Sequence, residues 1–479
     1  MQIEFFPDDK TLQELLSKSE TFPLVGKIRL TAKNRPTEFF ERIYGSNPKN
    51  CFLFESNSYN PKTAQNSYFG KIDSNKIYSL SYTSKKSTEE FAEEVKSLFQ
   101  NLSQKTEKFD YAPFFWSGEI VLASYGIVRA FEKIPFTKPD FTNFPEITLA
   151  KTSEVFCLDE KTQELSFSLS VSNSDDLKKA KAKIETTFSK LSKEMESENE
   201  EFFVSKPKSN FPKSEYEKVV EKIKKYIFEG DVYQVNISQK FSAKFSGNAF
   251  SLFKKLNSIN PSPFANFVNF DEFTVVSSSP ERLLKVENGF AETRPIGGTR
   301  KRGESEIEDS DLAEELLLNE KERAEHTMLV DLERNDLGRI CEYGTVEVDE
   351  FMVIENYSHV KHIVSNVSGK LFPNLSLFDL LRAMFPGGTL TGCPKVRCME
   401  IIEELETCQR GLYAGSVGFV NCDGNLDLNI VIRTFVINEE NLEFQVGGGI
   451  VADSEPEKEY FESLQKAKAL LKTLGLEKV

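Results

Sequence analysis

The chain has 479 residues, a length that asks for two or more subdomains or one unusually large core. Hydrophobic residues make up 39% and charged residues 28%, the balance of an ordinary soluble globular protein. The net charge of -15 argues against nucleic acid and anionic membrane as main partners, since both demand a basic surface, and it obliges any site for an anionic substrate to supply its own local cations. No apolar run approaches bilayer length, and residues 1–10 do not resemble a signal peptide. The 7 cysteines are scattered without a CxxC pair, so neither a zinc site nor a disulfide framework is expected, and a reducing cytoplasm is the natural compartment. Only 3 histidines are available for chemistry: His326, His359 and His362.

Taken in chain order, the first half is poor in glycine and rich in Phe, Lys and Ser. It alternates strand-like runs (Ile120 to Ser124, Glu164 to Val171) with polar helical stretches (Ser87 to Leu102, Asp175 to Met195). The charged, proline-containing stretch Glu196 to Lys213 reads as a linker between a region 1–205 and a region 212–479. Beyond it the pattern predicts a helix over Ser214 to Glu229 stopped by Gly230. A strand follows over Val232 to Phe241, with Gln234, Asn236 and Ser238 on one face. A turn at Asn260 to Pro263, a strand over Phe273 to Ser278, one helix over Asp311 to Asp331 and another over Pro394 to Leu405 come next. Tyr413 to Asn421 and Leu426 to Ile437 read as paired strands about Asp423-Gly424, and Pro456 to Leu474 as a closing helix. Such an order predicts an α+β fold with mostly antiparallel sheet.

Most of the glycine lies after residue 211, where close approach of backbone to ligand is to be sought. Two helical segments there carry glutamates three apart, Glu322 with Glu325 and Glu459 with Glu462. Each pair shares one helix face, and two such faces turned together could hold Mg²⁺, a cation that prefers oxygen ligands. Alone, either pair is equally a solvated acidic face. Pro386-Gly387-Gly388-Thr389 and Gly392 lead into the helix that carries Lys395, so backbone N–H groups and a hydroxyl could meet an anion; Lys395 could as well be helix surface. Gly447, Gly448 and Gly449 follow the strand Leu442 to Val446 and could bring further N–H groups to a carboxylate. Arg433, in the apolar run Ile430 to Phe435, is either a structural ion pair or a bidentate carboxylate clamp. His362, in HIVSNV, is either a satisfied sheet histidine or a general acid near neutral pH; His326 and His359 rank below it.

The motifs DVYQVNISQKF, SSSPERLL, RPIGGTR, EHTMLVDLERNDLGRI, HVKHIVSNV, PGGTLTGCPKVRCMEIIEELE, GNLDLNIVIRTF and GGGIVADSEPEKEYFES occur in that order. Together they resemble the chorismate-utilising enzymes, closely from Val219 to Leu474 and weakly in the first half, through FLFES at Phe52 to Ser56. The resemblance implies a layered α/β/β/α sandwich of two mostly antiparallel sheets, with residues 212–479 catalytic and residues 1–205 mainly scaffold. It implies that Glu325 and Glu462 ligate Mg²⁺, with Glu322 and Glu459 beside them or acting through water. Arg433 and Tyr413, with N–H groups near Gly447, Gly448 and Gly449, would hold the enolpyruvyl carboxylate of chorismate. Thr389 would hydrogen-bond the substrate, and His362 would assist loss of the hydroxyl at ring carbon 4.

Branches of this family that add water resemble one another in carrying a lysine where this chain has Gln234. A glutamine amide is no base near neutral pH, which points to ammonia as nucleophile. Among the two aminating branches, YQVNIS, NPSPFA and GGGIVADS resemble aminodeoxychorismate synthase component I more than anthranilate synthase component I. RPIGGT departs from the first: Gly297, ahead of Gly298 and Thr299, stands where many of its members have a lysine that attacks ring carbon 2, and neither Lys301 nor Lys395 matches that position. The expected reaction is Mg²⁺-dependent amination of chorismate to 4-amino-4-deoxychorismate, for p-aminobenzoate and folate. Anthranilate formation is the alternative, and a non-catalytic binding paralogue a second. All three histidines fall inside the chorismate motifs, so ammonia is expected from a separate glutamine amidotransferase subunit. FLFES resembles the start of a tryptophan pocket, but the segment after it departs from that pattern, so tryptophan feedback is not expected.

Overall fold

The computed structural model describes residues 2–18, 20–31, 33–57, 62–63, 65–100, 102, 106–191, 201–357 and 360–476. Its architecture follows from which face of each strand is apolar. In Gly118–Ala123 both faces are buried, but they enter different cores. Ile120 and Leu122 join a cluster that holds no helical side chain and is built of strand residues such as Phe52, Val268 and Phe419 with loop residues such as Phe115. Val121 and Ala123 join one that includes helical side chains such as Phe91, Val95, Val220 and Ile402. Cys51–Glu55 does the same on the other side: Phe52 faces the helix-free core, while Cys51 and Leu53 share a core with Phe40, Ile184 and Leu470 from helices. A period of two cannot serve a single layer in this way. Sheet packs on sheet through the helix-free core, and helices cover both outer faces, giving a helix–sheet–sheet–helix sandwich.

The two halves of the sequence are knitted by main-chain ladders. Cys51–Glu55 pairs antiparallel with Phe264–Asn269, and Gly118–Ala123 with Ser416–Asn421. The presumed linker is partly strand: Phe202–Val204 and Lys208–Ser209 both pair with Gln234–Gly247, while residues 196–200 lie outside the described residues. The helices Thr88–Gln100, Ser174–Leu191, Lys213–Phe228, Lys395–Leu405 and Pro456–Thr473 match their periodicity, although residues 192–195 of the expected second helix are outside the described residues.

Three expectations are corrected. The helix expected over Asp311 to Asp331 is two helices, Glu306–Leu318 and Glu320–Gly338, because Asn319 leaves the helical conformation and caps the second, accepting the Glu322 N–H at 3.1 Å. The strand expected over Leu426 to Ile437 breaks into Leu426–Asn429 and Thr434–Asn438. Arg433 sits in that break with φ of 52°, not in a strand. The glycine triplet does not follow a strand but belongs to one, Asn441–Ile450, where Gly447, Gly448 and Gly449 pair with Ser238, Ile237 and Asn236.

Candidate active site

Two groups of side chains converge where Gln234–Gly247 meets the ends of the two acidic helices. The first surrounds Arg433. Its left-handed backbone carries a half-buried guanidinium out of the strand break. Among the described residues that guanidinium makes no ion pair or side-chain hydrogen bond; its nearest charge partners are Glu281 and Tyr357. An arginine held without a carboxylate on one side of a buried site is ready for a bidentate anion. Glu281, 5% exposed, has one carboxyl oxygen buried without a partner. Burial pushes its pKa up to about 7, and Thr389, the Ile296 main chain and Arg433 only partly offset that. The hydroxyl oxygen of Thr389 is likewise buried, close enough to the Glu281 carboxyl to lower its pKa but without a well-formed hydrogen bond.

His362, on Val360–Lys370, completes this group. Thr299 Oγ1 lies 3.0 Å from its Nδ1, and the Gly298 carbonyl lies 3.2 Å away. The carbonyl can only accept, so Nδ1 carries the proton and Nε2 is left as a buried acceptor without a partner. Burial, reinforced by Arg433, lowers the pKa of His362 to about 4. The ring is therefore neutral at neutral pH, with Nε2 open to a hydrogen-bond donor. Glu281 keeps its proton to about pH 7, so it stands beside His362 as a second group able to take part in proton transfer. Glu281 is a site residue that sequence reasoning missed; its place in SSSPERLL, just after the strand Phe273–Ser279, is the signal available for it.

The second group holds the acids. Gln234 Nε2 donates to Glu325 Oε1 at 2.8 Å, and Arg300 Nη1 donates to Glu322 at 3.0 Å. Burial raises the pKa of Glu325, with Glu322 adding to the shift. Burial raises that of Glu459 as well, with Glu462 adding. Lys466 pairs with Glu462 at 3.2 Å and its charge is felt at both Glu325 and Glu459, which ties the two helices together electrostatically. Among the described residues no three acids, histidines or cysteines converge as metal ligands. The donors nevertheless suit a hard cation in kind: four carboxylates in two pairs, two of them short of counter-charge. Asn236 Nδ2 donates to the Thr389 carbonyl at 3.1 Å and links the acids to the Arg433 group.

The glycines divide by face. A Cβ on Gly449 would meet Gln234 Nε2 at 2.1 Å, whereas one on Gly448 would meet nothing nearer than Lys466 Nζ at 3.4 Å. Gly447 backs onto the neighbouring strand at Ile237. Gly298, at φ of 44°, brings its carbonyl to His362. Gly297 abuts His326.

Two expected residues stand apart. Lys395 is ion-paired with the buried Asp336 beside a groove of about 800 Å³ that includes Ala324, Thr327 and Met328 but neither Glu322 nor Glu325. It is spoken for by that pair. Tyr413 is buried against Arg410, whose guanidinium lies 5.6 Å from the ring centre and is itself bound to the Asn236 and Leu390 carbonyls. It sits one layer behind Thr389. His359 lies outside the described residues.

The model of the chorismate binding enzymes matches residues 49–472. The chain belongs to that family. It is 43% identical over 397 residues to anthranilate synthase component 1 of Aquifex aeolicus, covering 80% of each chain. To aminodeoxychorismate synthase component 1 of Bacillus subtilis it is 42% identical over 379 residues, covering 78% of this chain and 80% of the relative. The crystal structure of anthranilate synthase component I from Streptococcus pneumoniae superposes with a TM-score of 0.70 at 30% identity, covering 86% of this chain and 93% of the other. The sandwich is thus the fold of the chorismate-utilising enzymes, and the chain is a chorismate-utilising enzyme.

Proposed function

We propose that this enzyme aminates chorismate with ammonia, as an aminodeoxychorismate synthase component I. The observation that carries the reading is the pairing of Gln234 with Glu325. An amide cannot activate water, and at this place it donates to a carboxylate instead of accepting a proton. With no side chain on Gly297 either, nitrogen must arrive as a free molecule.

Each residue then has a task its surroundings favour. Arg433 binds a carboxylate of the dianion. Glu281 protonates the hydroxyl leaving ring carbon 4, and Thr389 donates a hydrogen bond within the same buried group. His362 offers Nε2 as a hydrogen-bond acceptor that orients the incoming ammonia or the hydroxyl. Glu325 and Glu459, with Glu322 and Glu462, would hold Mg²⁺, which when bound neutralises the second carboxylate. Positioning and charge complementarity of this kind supply most of the rate enhancement. Relatives named component 1 support a partner subunit, and the partner that fits is a separate glutamine amidotransferase.

Addition at carbon 4 is supported by the motifs of the aminating branch and by the region around FLFES. There Asn57 donates to Asn257 at 2.6 Å and to the Ser262 carbonyl at 3.0 Å, while Asn257 donates to Glu55 at 2.9 Å. Anthranilate formation is the second reading, favoured by the names of several relatives. The nucleophile is tested with purified enzyme, chorismate and Mg²⁺, adding ammonium, glutamine or neither. Turnover with ammonium alone is expected; glutamine-dependent turnover by this chain, or an isochorismate product without ammonium, would refute the assignment.

A further inference from the structure

His326 takes no part in the chemistry above, yet it is fully buried on Glu320–Gly338, next to Glu325. Its Nε2 meets Ser365 Oγ at 2.7 Å, and the same Oγ accepts the Met352 N–H at 2.9 Å, so the ring is pinned from one side. Nδ1 points the other way and is buried without a partner. It faces the bare α-carbon of Gly297. A Cβ there would lie 2.4 Å from Nδ1, 3.1 Å from Cγ and 3.2 Å from the His326 Cβ. These atoms belong to a ring and its stem, not to a flexible end that could swing aside. Backbone conformation gives no other reason for glycine here: Gly298 has positive φ, and Gly297 does not. Its neighbours are site residues, for Gly298 and Thr299 hold His362, and a Cβ on Gly298 would lie 3.0 Å from Glu322.

We propose that His326 is a specificity-determining residue: it fills the space through which a side chain at position 297 would enter the site, and so excludes an enzyme-borne amine and leaves ammonia as the nucleophile. The inference rests on the chorismate-amination reading for its chemical consequence, but not for its steric content. A lysine admitted at 297 would form a bond from its nitrogen to ring carbon 2. The carbon 1–carbon 2 double bond would move to carbons 1 and 6 and the carbon 5–carbon 6 double bond to carbons 4 and 5, the bond from carbon 4 to its hydroxyl would break, and the nitrogen's proton and the hydroxyl would depart as water. Residues 297 and 326 therefore act as a pair, and changing one is not enough.

The test compares Gly297→Lys, His326→Asn and the double variant by intact-protein mass spectrometry after incubation with chorismate and Mg²⁺ without ammonia. Expected is no adduct in the wild type or in either single variant. The double variant gains the mass of chorismate less one water, mapped by digestion to residue 297. In parallel, thermal unfolding of Gly297→Ala and Gly297→Lys is measured with His326 and with Asn at that position. His326→Asn should recover most of the melting temperature lost, a non-additive result. An adduct in Gly297→Lys with His326 intact, a folded double variant without adduct, or additive thermal effects would each overturn the proposal. The thermal cycle uses no substrate, so it decides the steric pair even if the double variant is too unstable for the adduct assay. Failure of the wild type to consume chorismate with ammonium would instead overturn the functional reading.

Discussion

On the proposed reading, Glu281 and His362 differ in their part in the proton chemistry because of their environment, not their residue type. Burial holds the carboxyl of Glu281 protonated to about pH 7 and keeps the imidazole of His362 neutral down to about pH 4. We expect Glu281→Gln to lower kcat by roughly 10²- to 10⁴-fold, the usual worth of a general acid, and to remove the alkaline limb of the pH–rate profile near pH 7. His362→Gln should lower kcat while leaving that limb in place; a profile that loses its limb in the histidine variant would reverse the two roles. Arg433→Lys keeps the charge but not the fork, and should cost about 10- to 100-fold in kcat/KM, the scale of a hydrogen bond to a charged group. The acids, Arg433, Thr389 and His362 were legible as residues of interest because glycine-rich and charged motifs surround them. Glu281 was not, because burial is a property of the fold, and the engagement of Lys395 by Asp336 was hidden for the same reason.

At the scale of elements, spacing and capping decide where the site groups stand. Asn319 starts the helix that carries Glu322 and Glu325. Asn319→Ala should lower stability by about 1 kcal/mol, the typical cost of a lost N-cap, and raise the magnesium concentration needed for half-maximal rate. Thermal melting and a metal titration read the two effects separately. In Asn441–Ile450, Gly449→Ala would press on the Gln234 amide, a flexible end, so the fold should hold while kcat/KM falls about 10²-fold through misplacement of Gln234 and Glu325. Gly448→Ala meets only ordinary contacts and should fold without loss. Equal effects on activity would show that the triplet acts through its backbone alone. The helix Pro456–Thr473 was readable within a residue because its apolar period is uninterrupted. The break at Asn319 was not, since an asparagine inside an acidic stretch looks like helix surface until its side chain is seen to cap. The break at Arg433 was lost because β-branched neighbours on both sides continue a strand pattern.

In the whole molecule, the halves that composition separates are joined by ladders across Cys51–Glu55 and Gly118–Ala123. A piece consisting of residues 212–479 would expose the partner strands Phe264–Asn269 and Ser416–Asn421 as open edges. It should fail to give a monomeric folded species by size-exclusion chromatography and circular dichroism. Glycine distribution pointed to the catalytic half, but the shared sheet was beyond reach, because pairing between distant strands leaves no local mark.

Buried acids also set the pH response of the whole fold. Burial raises Glu55 to about 8 and Glu146 and Glu281 to about 7, above the ordinary carboxyl value. Between that value and about pH 8 the folded state binds more protons than the unfolded state, so this contribution to stability is fully present below the ordinary carboxyl value, falls progressively as pH rises, and is gone once pH passes 7 to 8. The melting temperature should be higher at pH 5.5 than at pH 8.5. The central claim, that ammonia is added to chorismate at ring carbon 4, is tested most directly by the product. Purified enzyme with chorismate, ammonium and Mg²⁺, followed by liquid chromatography and mass spectrometry, should yield 4-amino-4-deoxychorismate and no fluorescent product until a lyase is added. Fluorescent anthranilate formed by this chain without added lyase would contradict it.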